Sequence, residues 1–176
     1  MWLIGEKRVM EGMEGVLQYI LKYGVLMIFI LTYLEQLNVP GLASSIIMPA
    51  VGVVVAKYNY SFIFIFLISL FASVLGSLTL YYLGYFVGAP IIEWLKRKFT
   101  KTEKTINKVI IYTNKYGSKG VLICRLIPGV RTLVSLVSGT VREKMTEFLI
   151  YSSIGIAIWN FLLMVSGYLT IVVISR

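Results

Sequence analysis

The chain has 176 residues, 58% of them hydrophobic and 14% charged, with a formal net charge of +9 and a mean hydropathy of +0.84. Soluble domains carry about 25% charged residues, so the composition points to one membrane domain of all-α architecture. Histidine and aspartate are absent and Cys124 is the one cysteine, which removes Ser-His-Asp triads, HExxH zinc sites, aspartyl-phosphate intermediates and intrachain disulfides, and leaves no ligand set for a metal or an evident need for a cofactor.

Residues 1–15 mix Lys7 and Arg8 with Glu6, Glu11 and Glu14, while Leu3, Met10, Met13, Leu17 and Ile20 roughly follow a helical stripe. A short amphipathic helix on the membrane surface is expected there, and no cleaved signal peptide is evident. Residues 16–35 form the first apolar span, interrupted by Lys22 and closed by Glu35. About 20 apolar residues suffice to cross a hydrocarbon layer of about 30 Å.

Residues 36–57 hold Pro40, Gly41, Pro49 and Gly52. Two prolines and two glycines argue against one straight spanning helix. A re-entrant hairpin is expected, with its broken backbone shielded by protein. Residues 60–88 are a second span, with small residues at Ala72, Ser73, Gly76, Ser77, Gly84 and Gly88 that suit close helix packing.

Residues 90–117 change character. Ile92, Leu95, Phe99, Thr102, Ile106, Val109 and Thr113 recur at spacings of three and four, and Lys96, Arg97, Lys98, Lys101, Lys104, Lys108 and Lys115 fill the other faces. Pro90 suits a first helical turn and Gly117 a stop. A basic amphipathic helix on the cytoplasmic surface is expected, drawn to anionic lipid headgroups. The positive charge is therefore read as a topology signal rather than as a nucleic-acid surface. Residues 120–140 are a second broken apolar stretch, and residues 148–174 a last span containing Trp159, Gly167 and Tyr168.

The second broken stretch carries Arg125-Leu126-Ile127-Pro128-Gly129-Val130-Arg131. Guanidiniums remain charged at any biological pH. At membrane depth they require a polar partner or a water-filled cavity. The Pro-Gly pair breaks the helix and frees backbone N–H groups, so charge and backbone together suit an anion such as a phosphate headgroup. Snorkelling of both arginines to an interface is the plainer alternative. The two broken stretches echo each other: Pro40-Gly41 and then Gly52 in the first, Pro128-Gly129 and then Gly139 in the second, with Glu35 and Arg125 just before each Pro-Gly. Paired interrupted segments are the mark of an inverted-repeat transporter. Glu35 then becomes a candidate for proton coupling or for a structural ion pair with the arginines.

These residues resemble the DedA family of membrane proteins, which share the VTT domain. The resemblance rests on the Arg-x-x-Pro-Gly-x-Arg core from Arg125 to Arg131, on Gly139, on Glu35 with Pro40, Pro49 and Gly52, and on the runs from Tyr82 to Gly88 and from Trp159 to Tyr168. It implies multi-pass insertion in the cell membrane and movement of a polyprenyl phosphate or an anionic phospholipid headgroup across it, with dependence on the proton motive force. Two departures are visible. Ser45 stands where many members carry a second acid, and many members continue into a further apolar helix, which leaves room for a homo-oligomer or a neighbouring subunit. A proton-coupled carrier of a small ion or solute is the alternative. A lipid phosphatase lacks the usual base and nucleophile in a chain without His or Asp.

Overall fold

The computed structural model describes residues 23–37, 44–98, 100–127, 130–131 and 133–174. The expected surface helix at 1–15, Pro40, Gly41, Pro128 and Gly129 lie outside the described residues, as does the side chain of Ser45. The described residues contain helices and no strand: α1 (Val25–Gln36), α2 (Ser44–Lys57), α3 (Phe62–Val87), α4 (Ala89–Lys98), α5 (Thr100–Tyr116), α6 (Lys119–Leu126), α7 (Leu133–Thr140) and α8 (Met145–Ile174).

Helix lengths separate these elements into two kinds. α3 and residues 145–173 of α8 are long and apolar enough to cross a membrane. At 1.5 Å per residue, α2 rises about 21 Å and α6 and α7 about 12 Å each, short of a hydrocarbon layer of about 30 Å. The long helices are also reversed in polarity relative to a soluble protein. Ile63, Phe64, Leu67, Phe71 and Phe86 on α3 are exposed, Phe86 by 78%, and so are Ile150, Phe161, Leu162 and Val173 on α8, Val173 by 70%. Ser69, Ser73 and Ser77 of α3, spaced by four, are buried together with Ser152 and Asn160 of α8. Apolar outside and polar inside is the arrangement that lipid solvent favours, and the protein is a membrane protein.

The helix α2 runs through Pro49. At the sixth position of a helix whose first four N–H groups lack partners in any case, a proline removes a single additional bond. The amphipathic helix expected over 90–117 is described as two helical stretches, α4 and α5, with residue 99 between them outside the described residues. The described part of their apolar stripe is largely covered by protein. Ile92, Ile106 and Val109 are buried in a cluster with Val121, Cys124, Val134 and Val137, because α5 packs on α6 and α7. Trp94, Arg97, Lys108 and Lys115 remain exposed.

The chain divides into two compact bodies, one from Met1–Ser73 with Asn160–Arg176 and one from Val74–Trp159. The first is built on Ile28, Ile47, Met48, Val51, Val54, Ile65 and Met164, joined by edge-on contacts of Phe62 with Phe161 and Tyr168. Asn160 donates from its amide to Ser73 at 3.1 Å. The second is built on the cluster around Val109 and Val121, where Tyr81 stacks on Phe148 at 4.7 Å.

Each body contains one crossing made by a reciprocal pair of glycines. In the first, a Cβ at Gly52 would collide with the carbonyl oxygen of Met164 and one at Gly167 with that of Pro49. In the second, a Cβ at Gly139 would collide with the carbonyl oxygen of Tyr81 and one at Gly84 with that of Leu136. The registers agree: a short helix (α2 or α7) offers a glycine three residues after the carbonyl it shelters, and the long helix (α8 or α3) does the same with the Gly-Tyr pairs Gly167-Tyr168 and Gly84-Tyr85. Backbone-to-backbone packing of this closeness admits no side chain.

Candidate functional site

The second body holds both arginines of the Pro-Gly motif. α6 ends at Leu126 because Ile127 is extended (φ −95°, ψ 117°), the conformation that a following proline imposes. Beyond it, Val130 N–H donates to the Ile127 carbonyl at 3.2 Å, and Leu133 and Val134 N–H donate to the Val130 carbonyl at 3.1 and 3.2 Å. Those last two bonds start α7. Arg125 and Arg131 therefore stand on either side of the break, Arg125 near the end of α6 and Arg131 just before α7.

Arg125 is 2% exposed. Its Nη1 donates to the carbonyl of Arg131 at 2.8 Å, clamping the two sides of the break. Its Nη2 donates to Ser135 of α7 and Ser152 of α8, each at 2.6 Å, and to Ser77 of α3. The three hydroxyls also touch one another, Ser77 to Ser135 at 3.1 Å and Ser77 to Ser152 at 3.2 Å. Gly155 makes room for the stem of this arginine, since a Cβ there would lie 2.6 Å from Arg125 Cβ. Among the described residues Arg125 is held by neutral oxygens alone, and its Nε–H has no acceptor. A buried guanidinium without an anionic partner leaves a positive field uncompensated, at a cost of order ~3–5 kcal/mol when a buried pair is broken.

Arg131 is 7% exposed, and its guanidinium carbon lies 5.6 Å from the ring centre of Trp159, within the range of a cation–π contact. Burial at this level is at odds with both arginines snorkelling freely to an interface. Phe148, Ser152, Gly155 and Trp159 follow each other at spacings of four, three and four and so share one face of α8. That face meets Arg125 through Ser152 and Gly155, and Arg131 through Trp159.

The remaining sequence candidates belong to the first body. Glu35 is buried at the end of α1 beside buried Gln36, and Pro49 and Gly52 sit at the crossing of α2 with α8. Gly139 lies at the equivalent crossing of α7 with α3. Ser77, Ser135, Ser152 and Trp159 were not singled out by the motif, although the four-residue spacing of Ser69, Ser73 and Ser77 inside an apolar span was a usable signal. Among the described residues no cluster of His, Cys, Asp or Glu could hold a metal ion.

The VTT domain matches residues 39–169 of the chain. Undecaprenyl phosphate transporter A of Staphylococcus aureus is 32% identical over 85% of this chain and 75% of its own length. The membrane protein YbfM of Bacillus subtilis is 29% identical over 88% of this chain and 95% of its own. An alkaline phosphatase-like protein of Lactococcus lactis is 26% identical over 88% of this chain and 74% of its own. No solved structure matches. With the Arg-x-x-Pro-Gly-x-Arg core, the VTT match and these relatives, the chain belongs to the VTT-domain, DedA-type family of membrane proteins.

Proposed function

We propose that the protein moves a phosphate-bearing lipid headgroup, foremost that of a polyprenyl phosphate, across the cell membrane, and that Arg125 and Arg131 provide the positive site that receives it. One observation carries this reading. Arg125 is fully buried, fixed by four neutral acceptors and unaccompanied by a described carboxylate. A phosphate entering beside it supplies the missing negative charge, and two arginines around a broken helix offer fork-shaped donors that a lysine does not reproduce. The name of the staphylococcal relative points to the same ligand chemistry.

The fold supports the transport part of the proposal. α2, α6 and α7 are too short to cross alone, and the matched glycine crossings in the two bodies have the register expected of an internal repeat. We infer that α2 and the α6–α7 pair enter the membrane as re-entrant elements from opposite sides, as in inverted-repeat carriers. Headgroups then pass along protein polar surface while their tails stay in lipid. Glu35, the buried acid at the end of α1, is assigned the coupling role, taking up a proton and releasing it in the course of transport. The phosphatase name borne by the lactococcal relative finds no matching chemistry in this chain, which has no His and no Asp to serve as nucleophile, base or metal ligand.

The test is equilibrium binding of a short-chain polyprenyl phosphate and the matching polyprenyl alcohol to protein in nanodiscs. Saturable binding of the phosphate alone, lost in Arg131→Gln, is expected. Equal binding of alcohol and phosphate would remove the charge-based site.

A further inference from the structure

The indole N–H of Trp159 is buried and meets no acceptor among the described residues. Indole N–H groups that leave water normally find a partner, and an orphan donor forgoes roughly a whole hydrogen bond. The orphan stands at the edge of a ring whose face is taken by the Arg131 guanidinium, 5.6 Å from its centre. This contact places the N–H donor beside a charged one. The ring's own helix is anchored nearby, since Ser152 and Gly155 on the same face of α8 are packed on Arg125.

Resting on the headgroup-binding reading above, we propose that Trp159 is a specificity determinant of that site, its N–H donating a hydrogen bond to the third terminal oxygen of a phosphomonoester. An arginine fork engages two oxygens of a phosphate in parallel. A phosphodiester headgroup, as in a phospholipid, has only two non-bridging oxygens and these are satisfied by the fork. A phosphomonoester, as in a polyprenyl phosphate, has three, and the third reaches the indole donor at an N···O distance of about 2.9 Å. The charged acceptor makes that bond stronger than a neutral one, and a diester gains nothing from it. Trp159 thereby selects for the monoester rather than for phosphate in general.

The experiment compares two probes on protein in nanodiscs, a short-chain polyprenyl phosphate and a short-chain phosphatidylglycerol, with inorganic phosphate as competitor to separate recognition of the bare anion from recognition of the lipid. Trp159→Phe keeps an aromatic face over Arg131 and deletes the N–H. Expected is a weakening of roughly tenfold or more for the monoester, the size of one hydrogen bond to a charged group, and less than twofold for the diester, with Trp94→Phe unchanged on both. Equal weakening for both probes would mean that the ring acts on structure alone and would overturn the proposal. No weakening for either would overturn it too, while loss of both probes in Arg131→Gln would leave the headgroup site standing. Retention of both probes by Arg131→Gln would remove the site and the proposal together. A second measurement does not depend on the folding of Trp159→Phe. The chain has three tryptophans, so Trp2→Phe with Trp94→Phe leaves Trp159 as the sole emitter. Its fluorescence should shift saturably on addition of the monoester and not of the diester, and a flat titration with the monoester would contradict the assignment.

Discussion

Arg125 donates through one guanidinium nitrogen to hydroxyls on three helices and through another to the Arg131 carbonyl across the break. A lysine at this position keeps the charge but concentrates its donors at one point, and it cannot serve the serines and the carbonyl together. Arg125→Lys is therefore expected to lose both stability and transport, with a stability loss of about 2–4 kcal/mol, as several charge-assisted bonds of ~1.5–3 kcal/mol each are partly replaced. Ser152→Ala removes one acceptor while Ser77 and Ser135 still accept from the same nitrogen, so it should cost about 1.5 kcal/mol, the low end of that range. Thermal unfolding of the purified proteins in one detergent checks the order. A Ser152→Ala protein as unstable as Arg125→Lys would show that the serine, not the arginine, organises the cluster.

At the scale of elements, the reciprocal glycines hold the short helices against the long ones. Gly139→Ala places a methyl group against the Tyr81 carbonyl, a rigid backbone atom that cannot swing aside. Overpacking of this kind costs ~1–3 kcal/mol or more, so a marked fall in folded yield and thermal midpoint is expected. A wild-type midpoint would mean that the crossing yields readily. The same register makes Lys57, five residues past Gly52, and Lys144, five past Gly139, corresponding positions of the two halves. Lys57 and Lys144 are both exposed. With Cys124→Ser as background, cysteines at 57 and 144 should react with an impermeant thiol reagent from opposite sides of the membrane. Labelling of both from one side would exclude an inverted repeat.

Across the whole molecule, the kind of protein was legible from its sequence because it rests on local signals. Composition, two long apolar runs and the Arg-x-x-Pro-Gly-x-Arg core each depend on a short window, and the all-helical structure and the VTT match agree with them. The stop of α6 was legible for the same reason, since Pro128 dictates the extended Ile127. The continuation of α2 through Pro49 was not legible, because one lost hydrogen bond near the start of a helix is a small penalty, one that packing of α2 in the core of the first body outweighs. The amphipathic stripe of α4 and α5 was visible, but periodicity states only that one face is apolar and leaves open whether lipid or protein covers it. Least legible was the serine cage. Ser77, Ser135 and Ser152 are 75 residues apart at the extremes, and a serine in an apolar helix usually marks close packing. Their convergence on one guanidinium is a property of tertiary structure.

The proposed coupling also belongs to the whole protein. Transport by the wild type should vary with pH, while Glu35→Gln should bind the headgroup yet lose that variation. An unchanged pH profile in Glu35→Gln would remove Glu35 from coupling and favour passive scrambling. The most direct measurement is the rate at which labelled polyprenyl phosphate moves between leaflets of liposomes containing the purified protein. Wild type and a Lys108→Gln, Lys115→Gln protein, altered at exposed surface cations, should flip the lipid at similar rates, within about twofold. An Arg125→Lys, Arg131→Lys protein inserted at the same density should flip it at the rate of protein-free liposomes. Wild-type flipping by the double arginine variant would contradict the claim that these two side chains form the headgroup site.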